Sequence, residues 1–345
     1  MRVLQVMAGA PFGGAETHFV DLVTALHRAG LDQRVVIRAH QGRAAALREA
    51  GIVPAELRFG GPIDWVSGRR LARAIAEYRP DIVQSWMRRA TRFVSRPRRA
   101  PKFVHVGWFG GYYPLADYRR CDHLVGVTPA IRDHQISAGW PADRAHYMPT
   151  FADGEHATPV SRAELGTPDG SPLFLALGRL HAKKAFDILI RAVAQLPDAH
   201  LWIAGEGPLR DALTRLITDL GLGDRVRLLG WREDRAALFA AADYCVLPSR
   251  YEPFGTVMIE AWAHDRPLIA AAADGPRGLI EDGLNGLLVP IDDIDALTAA
   301  MARLIQDRAL AGRLVDAGQA AYSARFTEAA VVARYLEFYR GILTS

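Results

Sequence analysis

The stretch SRYEPFGTVMIEAWAHDRPLIA (249–270) carries two carboxylates, Glu252 and Glu260, eight positions apart with the apolar PFGTVMI between them. A buried ionised carboxylate is costly unless it is paired, so two in a core-like run call for partners or for a ligand. The preceding DYCVLPS reads as a strand, and a helix starting near Gly255 would leave the N–H groups of Phe254, Gly255 and Thr256 without intrahelical acceptors. Those donors stand at the positive end of a helix dipole. Glu260 then falls in the second turn, on a face that can look back to the same ligand. A carboxylate can accept two hydrogen bonds from the vicinal diol of a ribose, and Glu252, ahead of the helix, can meet sugar hydroxyls. The plain structural alternative is a capping or salt-bridged pair.

Three other loops fit the same chemistry. GRLHAKKAFD (178–187) follows an apolar strand and carries Arg179, Lys183 and Lys184; paired cations there suit a diphosphate whose leaving charge must be stabilised. AGEGP (204–208) is a strand–turn–helix link in which Gly205 can present backbone and Pro208 opens a helix. PFGGAE (11–16) joins the first strand to the first helix, where Gly14 allows close backbone approach to an anion. It lacks the GxGxxG spacing, and the second strand ends in Arg38-Ala39-His40, with no acid to hold a dinucleotide ribose. Trp231, the last residue of the run RVRLLGW, is a further donor-side candidate. One nucleotide-sugar would engage the set, with its ribose on Glu260, its diphosphate at the cations and helix start, and its hexose at Glu252.

The elements that must position these loops alternate strand and helix throughout. RVLQVM, QRVVIRA, PDIVQSWM, KFVHVGW and DHLVGVT are strands of the first half; LFLALG, HLWIAGEG, RVRLLGW, DYCVLPS, RPLIAAAA and NGLLVP are strands of the second. Apolar runs separated by helices imply parallel sheets covered on both faces, and such sheets bind ligands at the carboxyl ends of their strands. With 345 residues, the expected architecture is α/β: two doubly wound Rossmann-like domains facing a central cleft. The Pro/Gly/Asp-rich 148–172 is the expected linker, giving domains 1–165 and 166–327 and a final helix, 328–345.

Charge is uneven. Residues 1–170 hold 23 Lys+Arg against 16 Asp+Glu, and the excess peaks in MRRATRFVSRPRRAPK (87–102), with Arg88, Arg89, Arg92, Arg96, Arg98, Arg99 and Lys102. This cluster suits an anionic membrane or glycan; no aromatic-interleaved module accompanies it, so nucleic acid is not expected. The bland reading is a solvated basic face. Two distant cysteines, Cys121 and Cys245, fit a reduced compartment, and no uncharged apolar run reaches the ~18 residues of a membrane span. The expectation is a cytoplasmic protein, peripheral on the inner face of the membrane. DDID (292–295) precedes a helix and reads as a cap; the histidines show no ligand spacing, so no metal and no cofactor are expected.

EPFGTVMIE, an E-x7-E motif, together with GRL…KK.FD, AGEGP and GLIEDGLNGLLVP, resembles family 4 of the glycosyltransferases, which have the GT-B fold; GGAE at 13–16 fits that family's N-terminal loop. WMRRAT and GWFGGYYPLADYRRCDHLVGVT resemble a bacterial subgroup acting on lipopolysaccharide. The resemblance implies metal-independent, retaining transfer of a hexose from a nucleotide-diphospho-sugar to a glycan or glycolipid. By position, Arg179 and Lys184 neutralise the diphosphate, Glu260 binds ribose, Glu252 and the Phe254–Thr256 backbone hold the sugar, and Gly14 approaches it from the other domain. The final helix would cross back onto the N-terminal domain. The family pattern places a histidine where this chain has Gly107; His105 lies two residues earlier, and Tyr112 and Tyr113 become acceptor-side candidates beside Arg88, Arg89, Arg96, Arg98 and Arg99. The rivals are a sugar-nucleotide epimerase of the same architecture and a non-catalytic module binding anionic glycan or membrane.

Overall fold

A computed structural model describes residues 1–10, 13–61, 64–96 and 102–344. The chain forms two compact units, one of Met1–Phe151 with Glu328–Ser345, the other of Ala152–Thr327.

The first unit is built on β1 (Arg2–Met7), β2 (Asp32–Arg38), β3 (Ala55–Leu57), β4 (Ile82–Trp86), β5 (Val104–Phe109), β6 (His123–Gly126) and β7 (Ala145–Tyr147). Their order is β3-β2-β1-β4-β5-β6-β7, every pairing parallel. The second is built on β8 (Leu173–Leu177), β9 (His200–Ala204), β10 (Val226–Gly230), β11 (Tyr244–Leu247), β12 (Leu268–Ala271) and β13 (Leu287–Val289), in the order β10-β9-β8-β11-β12-β13, again all parallel. Parallel neighbours need crossovers, and the helices that make them cover both faces, which is why β8 and β9 are buried at every position. The short β3 and β7 were not expected from the sequence.

In the second unit the winding reverses between β8 and β11. The loops leaving the carboxyl ends of these adjacent strands diverge, and a crevice opens between them. Residues 178–187 and 248–255 are those two loops, so strand order alone brings together segments about seventy positions apart in the chain.

The boundary falls at 151/152, earlier than the expected 165/166. Residues 152–167 are tied to the second sheet: Val160 N–H donates to Ala237 O at 3.2 Å, and Arg162 donates to Ala241 O at 2.8 Å and Asp243 Oδ1 at 2.7 Å. Pro208 also differs from expectation: it lies in a turn, and the helix begins at Arg210.

The helix Glu328–Thr344 completes the first unit. Tyr339, fully buried, donates from its hydroxyl to Gln84 Oε1 at 2.8 Å and accepts from Gln5 Nε2 at 3.2 Å. Gln5 Oε1 in turn accepts from Trp86 Nε1 at 2.9 Å. At these fully buried positions of two central strands Tyr339 meets Gln84 Oε1 and Gln5 Nε2, while Gln84 Nε2 is left without a partner among the described residues. Tyr339→Phe should therefore cost about 1–3 kcal/mol through amide groups left unmatched, seen as a lower urea midpoint. An unchanged midpoint would show that the network contributes nothing.

Candidate functional site

The site begins at the end of β8. Gly178 and Arg179 leave the strand, a short turn Ala182–Lys184 follows, and Ala185 adopts the left-handed conformation (φ 53°) before the helix Phe186–Ala194. This turn points Lys184 across to the loop after β11. There Lys184 Nζ donates to Glu252 Oε2, which also accepts from Ser249 Oγ at 3.3 Å. The two charged side chains are only 23% and 11% exposed. Glu252 is held by its backbone too, its carbonyl accepting from Gly275 N–H at 2.8 Å. A side chain at 275 would drive its Cβ into the carbonyls of Glu252 and Phe254, so this close approach needs glycine.

The helix Thr256–Ala263 starts after Gly255, whose φ of 88° is in the left-handed region, and no side chain caps it. Its first-turn N–H groups therefore face the loop as donors. Phe254 and Gly255 are buried and Thr256 is half-buried. Glu260 lies one turn further in, its side chain 15% exposed, and accepts from Arg235 Nη2. Burial pushes the Glu260 carboxyl pKa up, and the Arg235 guanidinium opposes that shift. Arg235 opens the helix Arg235–Ala241 that follows β10. Both glutamates are thus paired with cations from other loops.

A third cation fastens the frame. Arg250 N–H donates to Lys183 O at 2.8 Å, and its guanidinium reaches Ala182 O at 2.8 Å and Asp187 through two bonds of 3.0 and 2.8 Å. Its Nε lies 2.5 Å from Asp292 Oδ1. Arg250 so joins the turn carrying Lys184 to the loop carrying Glu252. Asp293, in the DDID segment, caps the helix Ile294–Gln306 by accepting from Ala296 N–H at 2.8 Å.

The remaining donor-side candidates in this unit are dispersed around the same sheet edge. Arg179 is exposed at the end of β8. Gly205 follows β9, and a Cβ there would overlap the carbonyl of Gly178, so the ends of β8 and β9 meet backbone to backbone. Trp231, after β10, is 70% exposed.

In the first unit, Gly14 opens the helix Gly14–Arg28, and a Cβ there would meet open space. The carboxylate of Glu16 fills the room beside Gly9 and Gly13 and accepts from Ala10 N–H at 2.7 Å; Pro11 and Phe12 of that loop lie outside the described residues. Of the basic cluster, Arg88 and Arg92 converge on Asp117 at 2.5 and 2.7 Å, and Arg96 pairs with Asp122. Arg89 is exposed, while Arg98 and Arg99 lie outside the described residues. The ring of Tyr112 meets that of His134 at 5.2 Å and the ring of Tyr113 that of Phe109 at 5.7 Å.

His105 points into the core of this unit. Its Nε2 shares a hydrogen bond of 2.8 Å with Ser85 Oγ and its Nδ1 one of 3.3 Å with Arg120 O. Burial lowers its pKa to about 4, so it is a neutral structural histidine. Gly107 admits no histidine, since a Cβ there would lie 2.7 Å from the Tyr118 ring and 2.9 Å from Cys121 Sγ.

Sequence reasoning passed over Arg235 and Arg250. Arg250 stands two residues before Glu252, and its signal was that proximity. Arg235 sits in the mixed-charge run WREDR, which reads as ordinary surface until the fold carries it to Glu260. Among the described residues no helix is long and apolar enough to cross a membrane.

Residues 12–156 match Glycosyltransferase Family 4, and residues 171–307 match Glycosyl transferases group 1. The Rhizobium meliloti (strain 1021) protein LpsE, named a lipopolysaccharide core biosynthesis glycosyltransferase, is 34% identical over 334 residues, 94% of this chain and 95% of its own. LpsD of the same organism, similarly named, is 34% identical over 344 residues, 99% of each chain. The crystal structure of Anabaena HepE in complex with UDP covers 99% of this chain and 100% of its own at 23% identity, with a TM-score of 0.87, a likeness of fold. With both halves matched, relatives of full length and two parallel-sheet α/β domains like those of GT-B structures, the chain belongs to the family 4 glycosyltransferases.

Proposed function

We propose that this glycosyltransferase moves a hexose, with retention and without a metal ion, from a nucleotide-diphospho-sugar to a lipopolysaccharide-core or other lipid-linked glycan. The observation that carries the reading is the pair of cation-held carboxylates, Glu252 and Glu260, on either side of an uncapped helix start at the switch point of the second sheet. In this reading the second unit binds the donor. Glu260 takes the ribose diol, Arg179, Lys184 and the Phe254–Thr256 N–H groups take the diphosphate, and Glu252 meets the hexose hydroxyls. Gly205 and Trp231 border the nucleotide.

The Lys184–Glu252 contact gives the binding step a simple form. An arriving diphosphate offers Lys184 a stronger anionic partner than one carboxylate, so the ammonium turns to phosphate oxygens and Glu252 is released to accept from the sugar. As the glycosidic bond to phosphate breaks, negative charge grows on the leaving diphosphate, and Lys184, Arg179 and the helix start are already beside it. That set supplies the neutralisation for which other transferases use a divalent cation. The names of LpsE and LpsD support an acceptor in the lipopolysaccharide core, and the UDP in the HepE structure supports a nucleotide donor.

For the acceptor side, the first unit offers Tyr112, Tyr113 and the cluster from Arg88 to Arg99. Arg88, Arg92 and Arg96 are paired within the unit, and this reading assigns the cluster, with Arg89, Arg98, Arg99 and Lys102, to an anionic bilayer on its cytoplasmic face.

Four measurements test the proposal. In a thermal-shift series of UDP, GDP and ADP, one nucleotide should raise Tm, since a ligand at 100 times its Kd adds about 2.7 kcal/mol to stability. Glu260→Gln should weaken that nucleotide by roughly 1.5–3 kcal/mol, while Lys184→Ala should mainly lower kcat; a fully active Lys184→Ala enzyme overturns the site. Sugar transfer and acceptor-dependent release of nucleoside diphosphate should persist in EDTA, and loss restored by Mg²⁺ or Mn²⁺ would replace this mechanism with a metal-dependent one. Finally, sedimentation with anionic vesicles should weaken as salt rises and weaken again on replacing Arg89, Arg98 and Arg99 by serine. Equal sedimentation of that variant would make the cluster a solvated face.

A further inference from the structure

Arg235 has no part in the chemistry assigned so far, yet it is the cation against which the Glu260 carboxylate rests. We propose that Arg235 is a positioning residue for donor binding, holding Glu260 ionised and correctly turned so that the carboxylate is ready to accept from the ribose. The inference rests on the reading of Glu260 as the ribose acceptor.

The geometry supports it in three ways. First, Glu260 is embedded: its neighbours Ile259 and Ala261 on the same helix are fully buried, as is Cys245 on β11. A carboxylate in such surroundings takes up a proton unless a cation offsets the lost hydration. Second, among the described residues Arg235 is the cation paired with it, and the thiol of Cys245 lies close by; burial, with Glu260 adding to it, pushes that thiol up, so it stays neutral. Third, Arg235 is not shared with its acidic neighbour. Asp234 is occupied by Arg232 through two bonds of 2.7 and 2.5 Å. A guanidinium cannot lose its proton at ordinary pH, so Arg235 keeps its charge beside the carboxylate throughout the neutral range.

The consequence is chemical. A protonated carboxyl has one donor and a reduced capacity to accept, whereas a diol needs an acceptor at both of its hydroxyls. The native chain should therefore bind donor equally well across the neutral range. Without Arg235 burial acts on the carboxyl unopposed and its pKa should rise further, and donor binding should fall by about tenfold per pH unit below that pKa, because one proton must leave for each donor bound. The sign is fixed: the variant is worst in acid and recovers as the pH rises.

The test uses UDP-glucose and GDP-mannose, whose diphosphate diesters do not titrate between pH 5.5 and 8.5, and measures Kd by calorimetry across that range. The native chain should give a flat profile with whichever donor binds. Arg235→Gln should give the sloped profile, with the loss appearing in donor KM and kcat at saturating donor changed less than about twofold. Arg235→Lys should restore much of the flatness. Glu260→Gln should be weak and flat, and the double variant should match it, since Arg235 acts only through Glu260. A flat Arg235→Gln profile beside a weakened Glu260→Gln overturns the role of Arg235 alone. A Glu260→Gln chain that binds as tightly as the native one overturns the ribose reading and, with it, this role. Should Arg235→Gln fail to fold, the lysine variant decides: a flat profile with near-native Kd supports the proposal, and a tenfold loss uniform across pH overturns it.

Discussion

The site rests on one electrostatic constraint: a carboxylate kept inside a protein must be given a counter-charge. Removing one partner of such a pair typically costs 3–5 kcal/mol, because the other is left buried and alone. The second unit meets this requirement twice within eight residues, with Lys184 on Glu252 and Arg235 on Glu260. Neither cation is near its acid in sequence. Each is delivered by a loop at the carboxyl edge of the sheet, so the strand order β10-β9-β8-β11 is what keeps the charges in balance. The fold and the chemistry are therefore not separable here. A shift in the order or register of β8 and β11 would leave Glu252 unpaired and the unit destabilised.

How much of this was legible follows from the kind of signal involved. All six strands of the second sheet were readable, since fully buried parallel strands such as LFLAL and HLWIA are unbroken apolar runs. β3 and β7 were not, because three residues at a sheet edge carry no period. Segment 152–167 read as linker from its Pro and Gly content, yet Arg162 binds it to Asp243, a tertiary contact that composition does not encode. Lys184, Glu252 and Glu260 could be picked out because charge next to an apolar run is conspicuous. Their pairings could not, since Arg235 and Arg250 become relevant only through the crossovers that carry them to the edge. His105, two residues before the position where the family pattern places a histidine, is buried against Ser85, and only the fold shows that.

The basic segment of the first unit teaches a similar lesson. Seven cations in 87–102 look like an anion trap when written as a line. Folded, Arg88 and Arg92 share Asp117 and Arg96 takes Asp122, so the field they project is weaker than the count implies. These surface pairs are worth little individually, and a polyanion with several charges could still displace them.

Tyr339 has a bearing on how the polypeptide is made. It lies in the segment that follows the whole of the second unit, yet the groups it satisfies, Gln5 and Gln84, belong to strands translated long before. On the ribosome the second unit, being one continuous stretch, can finish folding first. The first unit, formed from two separated stretches, can reach its complete packing only once the 328–344 helix has been made. A chaperone that shields apolar grooves on nascent chains would therefore meet this unit in its open form.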